Sequence, residues 1–248
     1  MTALYNQLAT VYEAMYKSFI NYDEEFDFYS NILLKYHCNK LLEIGCGSGN
    51  LAGRFIQAGF NYTGMDLSKD MLRIAVQQNP QAAFIERDMR NFDEPIKFDA
   101  AIITGRTLSY LVSDKDVLDC FHSIHRNLDK PGILCFDFID ADKFIPKLNP
   151  SEKIIHKATF ENTKYQRDSY WSENTSQKGI FDWASVYYEE TATGALLPIG
   201  EDFSTIRSFY KDDMINFLLQ AGFQIQEMLE RPSYAFDTIV IVAEKVNV

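Results

Sequence analysis

The period of the apolar positions changes along this chain and divides it into three stretches. Over residues 4–36 the spacing is helical. Leu4, Leu8, Val11, Tyr12 and Met15 share one face, and Phe26, Tyr29, Ile32 and Leu33 repeat the pattern. Asn21-Tyr22-Asp23 reads as the break, with Asp23 as N-cap of the second helix. From Lys40 onward, short β-rich runs alternate with amphipathic segments. Strands are predicted at Lys40–Ile44, Phe60–Met65, Ala83–Glu86, Phe98–Thr104 and Ile133–Phe138. Helices are predicted at Asn50–Ala58, at Ser68–Gln77 with Ser68 as cap, and at Asp114–Leu128. Strands separated by helices imply a parallel sheet covered on both faces.

Between about Ala141 and Tyr210 helical periodicity fades. Lys153–Phe160, Tyr165–Ser172, Phe181–Glu189 and Phe203–Tyr210 read as antiparallel strands divided by turns, Pro198-Ile199-Gly200 among them. Lys211–Ala221 then returns to helix, and Phe223–Leu229 and Thr238–Ala243 form a final antiparallel pair. The expected fold is α/β: a doubly wound, mostly parallel seven-stranded sheet with a helical N-terminal cap. Its parts are 1–140 (cap and cofactor half), 141–210 (antiparallel β insertion) and 211–248 (last helix and strand pair).

A length of 248 residues suits one large α/β domain carrying an insertion. A formal net charge of −11 repels phosphate backbones and argues against a nucleic-acid partner. Cys38, Cys46, Cys120 and Cys135 form no C-x-x-C pair and read as reduced thiols of a cytoplasmic protein. No apolar run reaches membrane-spanning length, and Met1-Thr2-Ala3-Leu4-Tyr5 lacks the pattern of a targeting peptide.

The chemistry concentrates in Leu41-Leu42-Glu43-Ile44-Gly45-Cys46-Gly47-Ser48-Gly49-Asn50, a strand running through a glycine loop into a helix. Such a loop brings backbone N–H groups close to a ligand. Gly47-Ser48-Gly49-Asn50-Leu51-Ala52 loosely fits the dinucleotide fingerprint, so the glycines alone leave the cofactor open. Three acids narrow it. Glu43 stands two residues before the first glycine, Asp66 ends the second strand, and Asp88 follows the third beside Met89. A carboxylate at Glu43 opposes a pyrophosphate and favours a cationic amino-acid or sulfonium ligand. Asp66 is spaced to accept ribose hydroxyls, and Asp88 an exocyclic adenine amine.

With these residues the chain resembles the class I S-adenosylmethionine-dependent methyltransferases. The resemblance covers 43–49, Asp66-Leu67-Ser68, Asp88-Met89, Phe98-Asp99, Leu128-Asp129-Lys130-Pro131-Gly132 and the last strand pair. It implies a Rossmann-like fold and S-adenosyl-L-methionine as cofactor. The residues it implies around that cofactor are Tyr12, Glu43, Gly45, Cys46, Gly47, Gly49, Asp66, Leu67, Met71, Asp88, Met89, Thr104 and Gly105. The opening Tyr5-Asn6-Gln7-Leu8-Ala9-Thr10-Val11-Tyr12 is similar to that of a small-molecule subgroup that includes glycine N-methyltransferase-like enzymes and amino-sugar N,N-dimethyltransferases. Glu13 departs from the Asp usual there, and Gly105-Arg106-Thr107 from the expected small residues.

The implied activity is methyl transfer to a small-molecule acceptor. Displacement at a sulfonium needs alignment and exclusion of water more than a strong base. No His, Cys or carboxylate spacing suggests a metal. Tyr12, Tyr110, Arg106 and His156 are the residues to weigh for catalysis, with no role fixed, and a nitrogen acceptor is favoured over oxygen. The insertion, with Tyr165, Tyr170, Trp171, Trp183, Tyr187 and Tyr188, reads as a substrate lid, a homodimer contact or a second small core. Two alternatives remain. An NAD(P)-dependent oxidoreductase would use the loose glycine match, though no Tyr-x-x-x-Lys accompanies it, and a non-catalytic S-adenosylmethionine-binding protein would need the cofactor half alone. Asp137 and Phe138, ending the fifth strand, are expected to look into the acceptor crevice.

Overall fold

The structure is a computed structural model whose described residues are 8–160, 162–174, 177–231, 233 and 236–246; Tyr5 lies outside them. Two helices lead, α1 (Ala9–Phe19) and α2 (Tyr22–Lys35). Asn21, rather than Asp23, caps α2. Its side chain accepts from the Asp23 and Glu24 amides, which leaves Asp23 in the first turn, where an acid complements the helix dipole.

The strands β1 (Lys40–Ile44), β2 (Asn61–Asp66), β3 (Ala83–Glu86), β4 (Phe98–Ile103) and β5 (Leu128–Ile139) are parallel. They are linked through α3 (Ala52–Gln57), α4 (Lys69–Gln78) and α5 (Asp114–Asn127). After a one-turn α6 (Ala141–Phe144) come the antiparallel β6 (Ile154–Phe160), β7 (Thr163–Glu173), β8 (Ile180–Glu190) and β9 (Leu196–Arg207). The chain ends with α7 (Lys211–Gln220), β10 (Phe223–Glu230) and β11 (Thr238–Lys245).

The main sheet has the order β10-β11-β5-β4-β1-β2-β3, with β11 antiparallel to both neighbours. This is the expected doubly wound, seven-stranded α/β sheet. Its strand order reverses between β1 and β4, and the crevice above that point opens at the strands' C-terminal ends. The sheet is buried on both faces, which explains the near-continuous apolar runs. Ala100 and Ile102 of β4 face Tyr29, Leu33 and Phe55 of α2 and α3, while Ala101 and Ile103 face Phe121 and Met214 of α5 and α7.

The second sheet is β6-β7-β8-β9. Pro198-Ile199-Gly200, expected as a turn, instead lies inside β9. The register slips there, between Tyr187 and Tyr188 of β8, and β9 is an edge strand, so the missing Pro198 N–H breaks no necessary bond. The inner side of this sheet carries Ala158 and Tyr187, which pack on Leu8, Met15 and Tyr16. The insertion is thereby fastened to the N-terminal helix.

Phe55 anchors the α2/α3 layer, fully buried among the rings of Phe26, Phe60 and Tyr62 at 5.2–6.1 Å. Truncation Phe55→Ala is expected to cost about 3–5 kcal/mol in urea unfolding, and a loss under about 1 kcal/mol would contradict this packing.

Candidate active site

A cavity of about 660 Å³ sits over the C-terminal ends of β1, β2, β4 and β5 and the loop after β3, roofed by α1 and the start of α2. Its floor is the glycine loop. Gly45 has φ +72°, and its N–H donates to Met65 O at 2.7 Å; a Cβ on this residue would collide with the Thr107 side chain. Gly47, at φ +54°, donates its N–H to Asp66 Oδ2 at 2.9 Å, and no described atom lies within 4 Å of where its Cβ would be. Gly49 serves packing instead: its Cβ would press on Asn79, Ala75 and Phe84, and it does not line the cavity.

Each of the three acids stands in different surroundings. Glu43 is buried, and its Oε2 accepts the Tyr62 hydroxyl at 2.5 Å. Burial pushes its carboxyl up to about 7, aided by the charge of Asp66 and opposed by bonds from Tyr62 and Thr104. Burial also raises Asp66, against the Gly47, Ser68 and Leu67 amides that bond to it. Asp88 lies on the rim. Its bond with Arg90, at 2.6 Å, holds it below the usual carboxylate range. Leu67, 46% exposed, and Met89 stand beside Asp66 and Asp88 on the cavity wall. Cys46 lines the loop with a thiol that burial raises well above its ordinary value. Met71 is fully buried under α4 and is not a wall residue.

Tyr12 and Tyr16 of α1 stack at 3.9 Å over the cavity. Between them Glu13, visible in the sequence only as a departure, ties α1 to the glycine loop. Its carboxylate accepts from Ser48 Oγ, from Asn50 Nδ2 at 3.0 Å and from Gln78 Nε2 at 2.9 Å, and it pairs with Lys17 at 2.6 Å. Burial pushes this carboxyl up, but those bonds outweigh burial and leave it below its ordinary value.

Beyond the glycine loop, Thr104, Gly105, Arg106, Tyr110 and Asp137 complete the wall. Arg106 is not a solvated loop residue. It is buried at φ +63°, its N–H donates to Asp137 Oδ1 at 2.8 Å, its Nη1 donates to Ser233 Oγ at 2.6 Å, and its guanidinium lies 5.3 Å from the Phe236 ring. Asp137 faces the cavity as expected, whereas Phe138 packs into the α5/α7 core. His156 stands apart on β6, against Phe19 and 3.1 Å from Arg167 Nη2; burial and the Arg167 charge push it down to about 4. It does not line the cavity and meets it only from behind Phe19, so a role as catalytic base has no geometric support. Among the described residues no group of His, Cys, Asp or Glu is arranged to hold a metal ion.

The sequence reading missed the α2 cap Asn21, Tyr22, Glu24 and Glu25 of α2, and Arg231. Arg231 is held by Glu25 through two 2.8 Å bonds and lies 4.2 Å over Phe28. No local motif marks them.

Comparison with known proteins agrees with this geometry. Residues 41–132 match the family described as "Methyltransferase domain". The chain is 38% identical over 104 residues to a putative methyltransferase of Bacillus subtilis (strain 168), covering 40% of this chain and 41% of that protein. It is 30% identical over 146 residues to an uncharacterized methyltransferase of Bacillus mycoides (strain KBAB4), covering 56% and 68%. Over 96 residues it is 28% identical to a dTDP-3-amino-3,4,6-trideoxy-alpha-D-glucopyranose N,N-dimethyltransferase of Streptomyces venezuelae, covering 39% and 40%. The chain thus spans about half the length, or less, of several curated relatives it matches. The solved structure of an amino pentose methyltransferase from Micromonospora echinaspora shares the fold, with a TM-score of 0.80 over 95% of this chain and 97% of that one at 18% identity. By the sequence it shares with these relatives and by its fold, the chain belongs to the class I S-adenosylmethionine-dependent methyltransferases.

Proposed function

We propose that this chain binds S-adenosylmethionine in the cavity and catalyses methyl transfer to a small molecule, with an amine nitrogen as acceptor. The observation that carries this is the row of acids at the ends of three adjacent strands, Glu43, Asp66 and Asp88, around a glycine loop that brings its backbone to the surface. Adjacent strands lie about 4.8 Å apart, so an extended nucleoside ligand meets the acids in turn. Glu43 and the Gly45–Gly47 backbone suit its amino-acid end, Asp66 its ribose, and Asp88 its adenine, with Leu67 and Met89 as apolar faces against the ring. The open space at Gly47 and the exposed side chain of Leu67 are the features such a ligand would cover. A dinucleotide suits the site poorly, because Glu43 and Asp66 would face its pyrophosphate.

Bound there, S-adenosylmethionine supplies a methyl group on a sulfonium, whose C–S bond breaks with its electron pair going to sulfur as the acceptor's lone pair forms the new bond. The chain's own task is placement. The stacked Tyr12 and Tyr16 present ring faces, which attract cations, and α1 keeps water out. An amine lone pair needs no metal, and the Streptomyces relative is named for methylating a sugar nitrogen. A cavity of about 660 Å³ roofed by α1 and the start of α2 leaves room for a small acceptor rather than a macromolecule, and the acidic net charge argues against nucleic acid. We assign the insertion, 141–210, the part of a lid on the acceptor side. No described helix is long and apolar enough to cross a membrane.

Calorimetry with S-adenosylmethionine and S-adenosylhomocysteine tests the reading, and absence of heat with both would overturn it. Asp66→Ala is expected to weaken both ligands by about 5- to 150-fold, the roughly 1–3 kcal/mol of a lost bond to a charged group.

The Glu43 carboxyl adds a pH signature. In the folded chain it stays protonated up to about 7, higher than when unfolded, so the stability it contributes is full below the ordinary carboxylate range and is lost as pH rises through about 7. A sulfonium favours the ionised form. Affinity for S-adenosylmethionine should therefore rise with pH through about 7 more steeply than affinity for S-adenosylhomocysteine. Glu43→Gln is expected to flatten both the fall in unfolding free energy and this difference; equal slopes in wild type and variant would show that Glu43 does not carry them.

A further inference from the structure

The end of β5 lies two strands from β1, on the side away from β2 and β3, roughly 10 Å along the sheet. A ligand spanning Glu43, Asp66 and Asp88 leaves this side of the cavity open, and Asp137 faces it. Asp137 is 6% exposed, and its Oδ1 already accepts the Arg106 N–H. The charged and titratable groups around it are Arg106 from the loop after β4, Arg231 at the end of β10, Glu25 and Tyr29 from α2, and Cys135 on its own strand. Glu25 engages the Arg231 guanidinium in a two-bond pair, which reduces the positive charge facing Asp137.

We propose that Asp137 is the binding site and proton acceptor for the acceptor's amine. A protonated primary or secondary amine docks on the carboxylate. One N–H bond then breaks and an O–H bond forms on Asp137, so R–NH3+ and carboxylate become R–NH2 and carboxylic acid. The nitrogen lone pair is thereby freed to take the methyl group, and the carboxylic acid afterwards returns its proton to water. This rests on the reading of the cavity given under Proposed function.

Two physical points favour Asp137 in this role. Burial pushes its carboxyl up to about 6, against the pull of Arg106 and Arg231, which narrows the gap to an amine whose own affinity for protons falls on leaving water. The site also selects for charge: a hydroxyl acceptor brings no cation to offset a buried carboxylate, whereas an ammonium does. The expected acceptor is thus an amine rather than an alcohol.

The test uses the full chain with 13C-labelled aspartate, saturated with S-adenosylhomocysteine. The Asp137 carboxyl is titrated by NMR with methylammonium, methanol or potassium chloride as added probe. Asp137→Asn assigns the signal while keeping an oxygen for the Arg106 N–H, and Asp137→Glu replaces it if the Asn variant does not fold. Methylammonium is expected to lower the Asp137 midpoint by about half a unit, a threefold shift in proton affinity, with no such change for methanol or potassium. A midpoint that methylammonium leaves in place, or that potassium moves equally, overturns the proposal. Calorimetry separates the two readings. Failure of wild type to bind S-adenosylhomocysteine overturns the cofactor reading, whereas equal binding by wild type and Asp137→Asn with an unmoved midpoint overturns only the role of Asp137.

Discussion

Removing carboxyl groups from water along one edge of a sheet is the constraint around which this molecule is arranged. Glu43 and Asp137 end buried, and Asp66 half-buried, at the C-terminal side of parallel strands. A buried carboxylate is costly unless it is bonded, protonated or matched by a cation. Each of the three meets the cost differently. Glu43 takes a phenol hydroxyl from Tyr62, Asp66 takes backbone amides, and Asp137 takes the Arg106 N–H with two guanidiniums nearby. Gly47 belongs to the same arrangement: at φ +54° it turns its N–H onto Asp66, beside the amides of Leu67 and Ser68, and leaves the cavity open above it.

The parallel sheet fixes the order in which a ligand meets these groups. Glu43, Asp66 and Asp88 fall on one side of the reversal in strand order, and Arg106 and Asp137 on the other. A single crevice therefore has two chemically distinct halves without any separate domain to build the second one. What the parallel sheet lacks is a roof, and α1 with the start of α2 supplies it, the insertion packing behind α1.

Much of this was legible in the sequence where local spacing decides the structure. The five parallel strands, the Ser68 cap, the glycine loop and the three strand-end acids depend on residues within a few positions of one another. Element ends were less legible where two residues compete for one job, as Asn21 and Asp23 do at the start of α2. The Pro198–Gly200 stretch mimics a turn, because the bulge that absorbs it, with Ile199 skipped between the partners of Tyr187 and Tyr188, is defined only by pairing with β8. What stayed hidden was long-range. Glu13 meets Gln78 across 65 positions and Arg231 meets Glu25 across 206, and neither spacing leaves a periodic trace. Arg106 was illegible for the same reason: nothing near Gly105 and Thr107 in the sequence shows that Ser233 and Phe236 pack on its guanidinium.

The Glu13 tether links two properties that an evolving enzyme would otherwise change separately. One side of α1 holds the glycine loop through Ser48 and Asn50, and another packs on Ala158 and Tyr187 of the insertion. A change in the insertion that shifts α1 therefore also reaches the glycine loop. The eleven residues of that helix are therefore constrained from two sides at once, by the carboxylate bonds on one and by the insertion's apolar contacts on the other.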